Sequence, residues 1–267
     1  MKPPIAISTV AAMVVAFSGA FAGAGSSRST GTGFDRVMAL EAVAETTANA
    51  SLGDVNGDGF VDIVLAKGRH WPLLSMVLLG DGHGHFNRRY PVSDRVDRSY
   101  TAALADLTGN GHLDLVLGND APDEKVIYFN DGHGHFTLAG TFGDPSWPTR
   151  NVTLADLNGD GRPDIIVANR GGLAARTGNY VCLNDGHGHF PSCRVFSTES
   201  ATTIAAGDFN GDGAVDLVVP NRDGGQSYVY LNDGHGNFPN RVPFGPARSA
   251  TRAVAVGDLD GDGRLDI

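Results

Sequence analysis

The chain has little of what would place it in most functional classes. It contains only two cysteines, Cys182 and Cys193, among 267 residues, so a single cross-link is the most it can form within itself. It has no basic tract that would bind nucleic acid. After residue 25 there is no apolar run long enough to cross a membrane. It lacks G-x-S-x-G, H-E-x-x-H and any Cys/His pair with independent support, which argues against an intrinsic enzymatic activity.

Acidic nine-residue segments are abundant, by contrast. DVNGDGFVD (54–62), DLTGNGHLD (106–114), DLNGDGRPD (156–164), DFNGDGAVD (208–216) and DLDGDGRLD (258–266) start 52, 50, 52 and 50 residues apart. A fixed period of this size is the signature of a repeat architecture. A second motif keeps the same rhythm: LLGDGHGHF (78–86), YFNDGHGHF (128–136), CLNDGHGHF (182–190) and YLNDGHGNF (230–238). Short β-prone runs bounded by Gly, Asn and Asp surround both motifs, and turns this short join antiparallel neighbours. Runs such as IVLA and IIVA are apolar on both faces, as strands covered on both sides are. The pattern predicts an all-β chain of four-stranded antiparallel blades, a β-propeller with four full repeats and the start of a fifth.

Each acidic segment offers side-chain oxygens at positions 1, 3, 5 and 9 and a backbone carbonyl at position 7. The resulting ligand sets are Asp54, Asn56, Asp58, Phe60 and Asp62; Asp106, Thr108, Asn110, His112 and Asp114; Asp156, Asn158, Asp160, Arg162 and Asp164; Asp208, Asn210, Asp212, Ala214 and Asp216; and Asp258, Asp260, Asp262, Arg264 and Asp266. Hard oxygen ligands at this density suit Ca²⁺. The position 12 carboxylate of an EF-hand is replaced by Leu65, Leu117, Val167 or Val219. A metal-free Asn/Asp/Gly turn is the alternative for any single copy. The five loops hold 15 of the 30 acidic residues, so the net charge of −10 is concentrated where a cation would neutralise it.

These repeats resemble the FG-GAP/VCBS family, the calcium-loop propeller blades of integrin alpha-subunit headpieces and many secreted bacterial proteins. The resemblance covers residues 34–267. It implies a propeller, with calcium in the loop joining the first and second strands of each blade. Thr108 and Asn110 depart from the pattern, so the second site is expected to be weakest; the four carboxylates of the fifth make it the tightest.

Residues 1–24 read as an export signal with a small-residue cleavage site, and residues 25–33 as a flexible linker. Blades are expected at about 45–92, 98–142, 149–196 and 201–244, with a partial one at 250–267. Residues 34–42 resemble a fourth strand that would close the last blade, which suggests that the chain is an incomplete copy of a longer protein. Cys182 and Cys193 flank one hairpin turn symmetrically. In an exported protein a cross-strand disulfide is favoured, with two free thiols as the alternative. The histidine pairs of the turns, such as His83 and His85, read as polar turn residues rather than as a metal site. The sequons at Asn49 and Asn151 are discounted because they fall on inner strands.

In the propeller that the resemblance implies, the loops between strands two and three, and those between blades, share the face opposite the acidic loops. That face gathers Arg69, Trp71, Trp147, Arg150, Arg170 and Arg222, residue types that anchor ligands, with loop packing as the alternative for the two Trp–Pro pairs. The function expected is that of a secreted, periplasmic or cell-surface calcium-binding module that adheres to a carbohydrate or protein ligand. The alternative is the propeller portion of a secreted polysaccharide lyase or lipase-type enzyme.

Overall fold

The computed structural model describes residues 38–171 and 177–267. The expected export signal and linker lie outside these residues. Sixteen strands form four antiparallel sheets, each in sequence order, and there is no helix among the described residues. The first sheet holds β1 (Thr47–Gly53), β2 (Asp62–Lys67), β3 (Leu73–Leu79) and β4 (Arg88–Asp97). The second holds β5 (Ser99–Ala105), β6 (Asp114–Asn119), β7 (Lys125–Asn130) and β8 (Phe136–Phe142). The third holds β9 (Thr149–Ala155), β10 (Asp164–Asn169), β11 (Asn179–Cys182) and β12 (Cys193–Ser197). The fourth holds β13 (Ala205–Gly207), β14 (Asp216–Val219), β15 (Gly225–Leu231) and β16 (Asn240–Ser249). The sheets are blade-like units, and no closed ring is detected among the described residues.

The apolar runs are explained by where their two faces point. In β6, Leu115 and Leu117 pack with Val64 and Ala66 of the first sheet, while Val116 packs with Ile165 and Val167 of the third. In β10, Ile166 and Ala168 turn the other way, onto Leu217 and Val219. Side chains alternate across a strand, so β2, β6 and β10 each supply two cores at once, and all four second strands are buried along their whole length. Hydrogen bonds between first strands add a polar seam. The Ser51 hydroxyl donates to the Ala102 carbonyl and the Thr153 hydroxyl to that of Ile204. The two sequon hydroxyls therefore act as links between sheets.

The first sheet has no preceding sheet among the described residues. Its outer face, Ile63, Leu65 and Leu78, is covered in part by Leu40. Of the expected closing strand, residues 34–37 lie outside the described residues, and residues 38–42 form no strand. Instead Arg89 donates to the Leu40 carbonyl at 3.0 Å, and the buried ammonium of Lys67 holds Glu41 and Glu45 at 2.5 Å each. The segment is held by side chains on the first sheet rather than paired as a strand. Cys182 and Cys193 are register partners and their sulfurs are bonded.

Candidate metal centres and the opposite face

The five acidic loops lead into second strands, except that the fifth makes only an isolated bridge, Gly257 to Asp266. Their fold is set by carboxylates that accept backbone N–H groups. In the first loop, Asp54 accepts from Gly57 at 2.7 Å and Gly59 at 2.8 Å, and Asp58 from Phe60 at 2.9 Å. The third, fourth and fifth loops repeat these bonds. The second keeps them with Asn110 at position 5. Gly57 and Gly59 both have positive φ, 75° and 85°, a backbone that a Cβ disfavours.

The ninth position differs from the rest. Asp62 is fully buried, and its two oxygens are divided between two N–H donors: Val55 in its own loop at 2.9 Å and Gly80 in the next turn at 2.8 Å. Asp114, Asp164 and Asp216 do the same with Leu107 and Asn130, Leu157 and Asn184, and Phe209 and Asn232. These aspartates brace the loop against the following turn. Burial raises the carboxyl of each above its usual range, that of Asp164 to about 6, against the pull of its N–H donors.

A connection that sequence reasoning missed runs through the second motif. The Asn130 amide donates to the Val55 carbonyl in the preceding loop at 2.8 Å and to the Leu113 carbonyl at 2.9 Å. Asn184 reaches Leu107 and Pro163, and Asn232 reaches Leu157 and Val215. Each turn thus clasps the acidic loop of the sheet before it. The signal was present: the residue before DGHG is Asn in turns two to four but Gly80 in turn one, which has no preceding loop among the described residues.

The histidine pairs are turn devices. Asp81 accepts the N–H groups of His83 and His85, and the His85 ring lies 2.9 Å from its other oxygen. The N–H bonds come first among the influences that lower the Asp81 carboxyl to about 2. In the fourth turn Asn237 replaces the second histidine and donates to Asp233 at 2.9 Å, so hydrogen bonding rather than metal ligation is what the position supplies.

Two observations test whether the loops suit a cation. In loops one, three and four the position 3 amide donates to the position 5 carboxylate, Asn56 to Asp58, Asn158 to Asp160 and Asn210 to Asp212, at 2.7–2.9 Å. In the fifth loop Asp260 replaces that amide and cannot donate. Oxygens of Asp258, Asp260 and Asp262 lie within 4.8 Å of one another and the residues are exposed. In the second loop the buried Thr108 hydroxyl has no hydrogen-bond partner, while the Arg162 guanidinium packs against Gly109. The oxygen set fits Ca²⁺ best at loop five and least at loop two.

The expected ligand residues of the opposite face separate into three groups. Arg69 and Arg150 lie over the same ring, Tyr100, with Arg150 at 4.3 Å from its centre, and Trp71 nearby in sequence is 71% exposed. Trp147 is committed to packing: its ring stacks on Tyr180 at 3.9 Å and joins the core between the second and third sheets. Arg170 and Arg222 follow β10 and β14, at corresponding places in the two sheets.

An FG-GAP-like repeat model matches residues 54–117, 106–167 and 208–267, together more than half of the chain. The chain belongs to the FG-GAP repeat family. Comparison with curated proteins gives no match. Among solved structures, this FG-GAP chain is similar to an Agrocybe aegerita lectin whose structure concerns recognition of non-reducing terminal N-acetylglucosamine. The TM-score is 0.51 and the identity 25%, over 73% of this chain and 51% of the lectin. The chain thus spans about half the length of that relative. It is also similar to the Photorhabdus luminescens Tc holotoxin pore, with TM-score 0.46, 24% identity and coverage of 85% and 11%. For the V. cholerae biofilm matrix protein Bap1 the figures are TM-score 0.45, 20% identity and coverage of 83% and 34%. No helix among the described residues is long and apolar enough to cross a membrane.

Proposed function

We propose that this chain is a calcium-binding β-propeller module, exported to the periplasm, the cell surface or the medium, that adheres to a ligand through the face opposite its acidic loops, and that the ligand is a carbohydrate. The observation that carries the carbohydrate reading is the likeness to the N-acetylglucosamine-recognising lectin at a TM-score of 0.51, together with membership of the repeat family.

Calcium has a structural part in this proposal. When bound it supplies positive charge among the loop carboxylates. The chain's own residues do the rest: position 9 aspartates brace each loop to its turn, and Asn130, Asn184 and Asn232 fasten that turn to the loop before it. The opposite face is thereby held without contributing to the loops. Binding rather than catalysis is proposed because the sequence contains no catalytic constellation.

A glycan array probed with the calcium-loaded chain is the test. Saturable binding of one glycan group, lost with chelator as the fold loosens, is expected. A folded, calcium-loaded chain that binds no glycan would remove the carbohydrate reading.

A further inference from the structure

Four arginines lie along one stretch of the face opposite the acidic loops, and their backbones are connected through few bonds. Ser200 is the hub. Its carbonyl accepts the Arg222 N–H at 2.8 Å. Its hydroxyl accepts the N–H of Gly171, next to Arg170, at 2.9 Å, and donates to Asp223 at 2.5 Å. The N–H of Thr251, next to Arg252, donates to the carbonyl of Asn221, next to Arg222, at 2.9 Å. The Arg170 N–H donates to the Pro148 carbonyl at 3.1 Å, two residues before Arg150.

Arg150 shows what a satisfied arginine looks like here. It pairs with Asp120 at 2.5 Å, donates to the Thr149 carbonyl at 3.0 Å and covers the Tyr100 ring. Arg222 has only a long ion pair. Its side chain is 17% exposed, yet its Nη1 is buried without a hydrogen-bond partner. Its partner, the Asp223 Oδ1, is 3.8 Å away, beyond hydrogen-bond reach, and the other oxygen of that carboxylate accepts from Ser200. Arg170 and Arg252 are exposed and have no side-chain partner among the described residues. Burial, then the like charges of Arg170 and Arg252, lower the Arg222 guanidinium from its ordinary value. A buried guanidinium N–H without an acceptor costs stability, and neighbouring like charges add to the cost. An anion received between them would remove both penalties.

We propose that Arg170, Arg222 and Arg252 form a receptor for the carboxylate or sulfate group of an acidic polysaccharide, with the Nη1 of Arg222 as its buried donor. The proposal rests on the glycan-binding reading above and adds the charge of the sugar. Arginine suits both groups because its planar fork matches their paired oxygens. The site lies across the chain from the acidic loops, so those loops do not compete for it.

The test is calorimetric titration of the calcium-loaded chain with oligogalacturonate, dextran sulfate oligosaccharides and neutral dextran, at about 0.05 and 0.5 M salt. Saturable binding of one acidic sugar class, weaker at high salt and absent for neutral dextran, is expected. Uronate binding alone assigns a carboxylate, and dextran sulfate binding alone a sulfate. Arg222→Gln and Arg170→Gln should each weaken that binding about tenfold or more, while Arg88→Gln, on β4 of the first sheet where it pairs with Leu79 at the turn end, leaves it unchanged. Arg222→Gln should also leave the melting temperature equal or higher, because it removes a cation whose buried Nη1 has no hydrogen-bond acceptor. Acidic-sugar binding that survives the Arg170→Gln/Arg222→Gln double variant would overturn the proposal, as would no acidic-sugar binding at either salt. In the second case, neutral glycans still bound on the array would leave the module reading standing.

Discussion

Asn184 has every polar atom committed. Its amide N–H groups donate to the carbonyls of Leu107 and Pro163, and its oxygen accepts from Gly186 and Gly188. Asn184→Ala therefore leaves two carbonyls and two N–H groups to find water or go without. Each buried orphan costs about 1–3 kcal/mol, and partial hydration makes a net loss of about 2–4 kcal/mol the expected result in urea denaturation. Exposed Leu138→Ala serves as the comparison, with a much smaller loss expected. The aspartates behind these bonds give the metal-free protein an unusual pH profile. Asp164 binds its proton more tightly in the folded chain, up to about 6, so the stability present below its unfolded value near 3.8 is lost as pH rises through 6. Asp62, Asp114 and Asp216 shift in the same direction. The turn aspartates shift oppositely, Asp81 to about 2, and lose their contribution as pH falls toward 2. Metal-free stability should peak near pH 4. Melting curves from pH 3 to 8 in chelator check this, and a continuous rise to pH 7 would contradict it.

The hairpin β11–β12 is the one pair of strands joined covalently, and it follows the segment 172–176 that lies outside the described residues. Its strands have 4 and 5 residues, against 7 and 10 for β15 and β16, so it has fewer ladder bonds to hold its register. The bond closes a span of 11 residues, for which a loss of about 2–3 kcal/mol on opening is expected. The Cys182→Ser/Cys193→Ser variant should show that loss in thermal melts. Reductant should lower the wild type to the same level and leave the variant unmoved. Most of these elements are legible in the sequence. IIVA announces a second strand because its two faces enter two cores, and the turn motifs fix where third strands end. Less legible were features that depend on a neighbouring repeat. Asn130, Asn184 and Asn232 look like ordinary turn formers until the preceding loop stands against them. Trp147 looks like an exposed anchor until Tyr180 is found beneath it. Residues 38–42 have the composition of a fourth strand, but Arg89 and Lys67 hold them on the first sheet instead. Of the candidate metal ligands, the oxygens at positions 1, 3 and 5 of the fifth loop lie within 4.8 Å of one another, whereas position 9 of the first four loops is drawn into the fold by its N–H donors.

The sheets are coupled in series: each shares a core with the next, and the first three acidic loops are each clasped by the turn of the following sheet. Order at one loop therefore reaches two sheets. Without a cation, the loops concentrate like charge, most of all at Asp258, Asp260 and Asp262, where carboxylates a few ångströms apart oppose one another by about 1 kcal/mol per pair at a wet surface. Loops of exported modules hold calcium with constants of about 10⁻⁴–10⁻³ M. A cation that binds only the folded loop stabilises by RT ln(1 + [L]/Kd), which is about 1.4 kcal/mol per site at ten times Kd. On the calcium reading proposed above, four such sites would contribute roughly 5–6 kcal/mol, comparable with the stability of a whole domain. Chelation should lower the melting temperature by more than about ten degrees. Asp160→Ala, which removes one carboxylate of the proposed third site, should lower it by far less. Because the loops are coupled through the clasps, Asn184→Ala should reduce the gain from calcium at both the second and third loops, more than a change at one loop does. Thermal melts of the three proteins with calcium and with chelator decide the matter. Superimposable curves for the wild type in the two conditions would show that the loops fold on their hydrogen bonds alone and that calcium has no structural part.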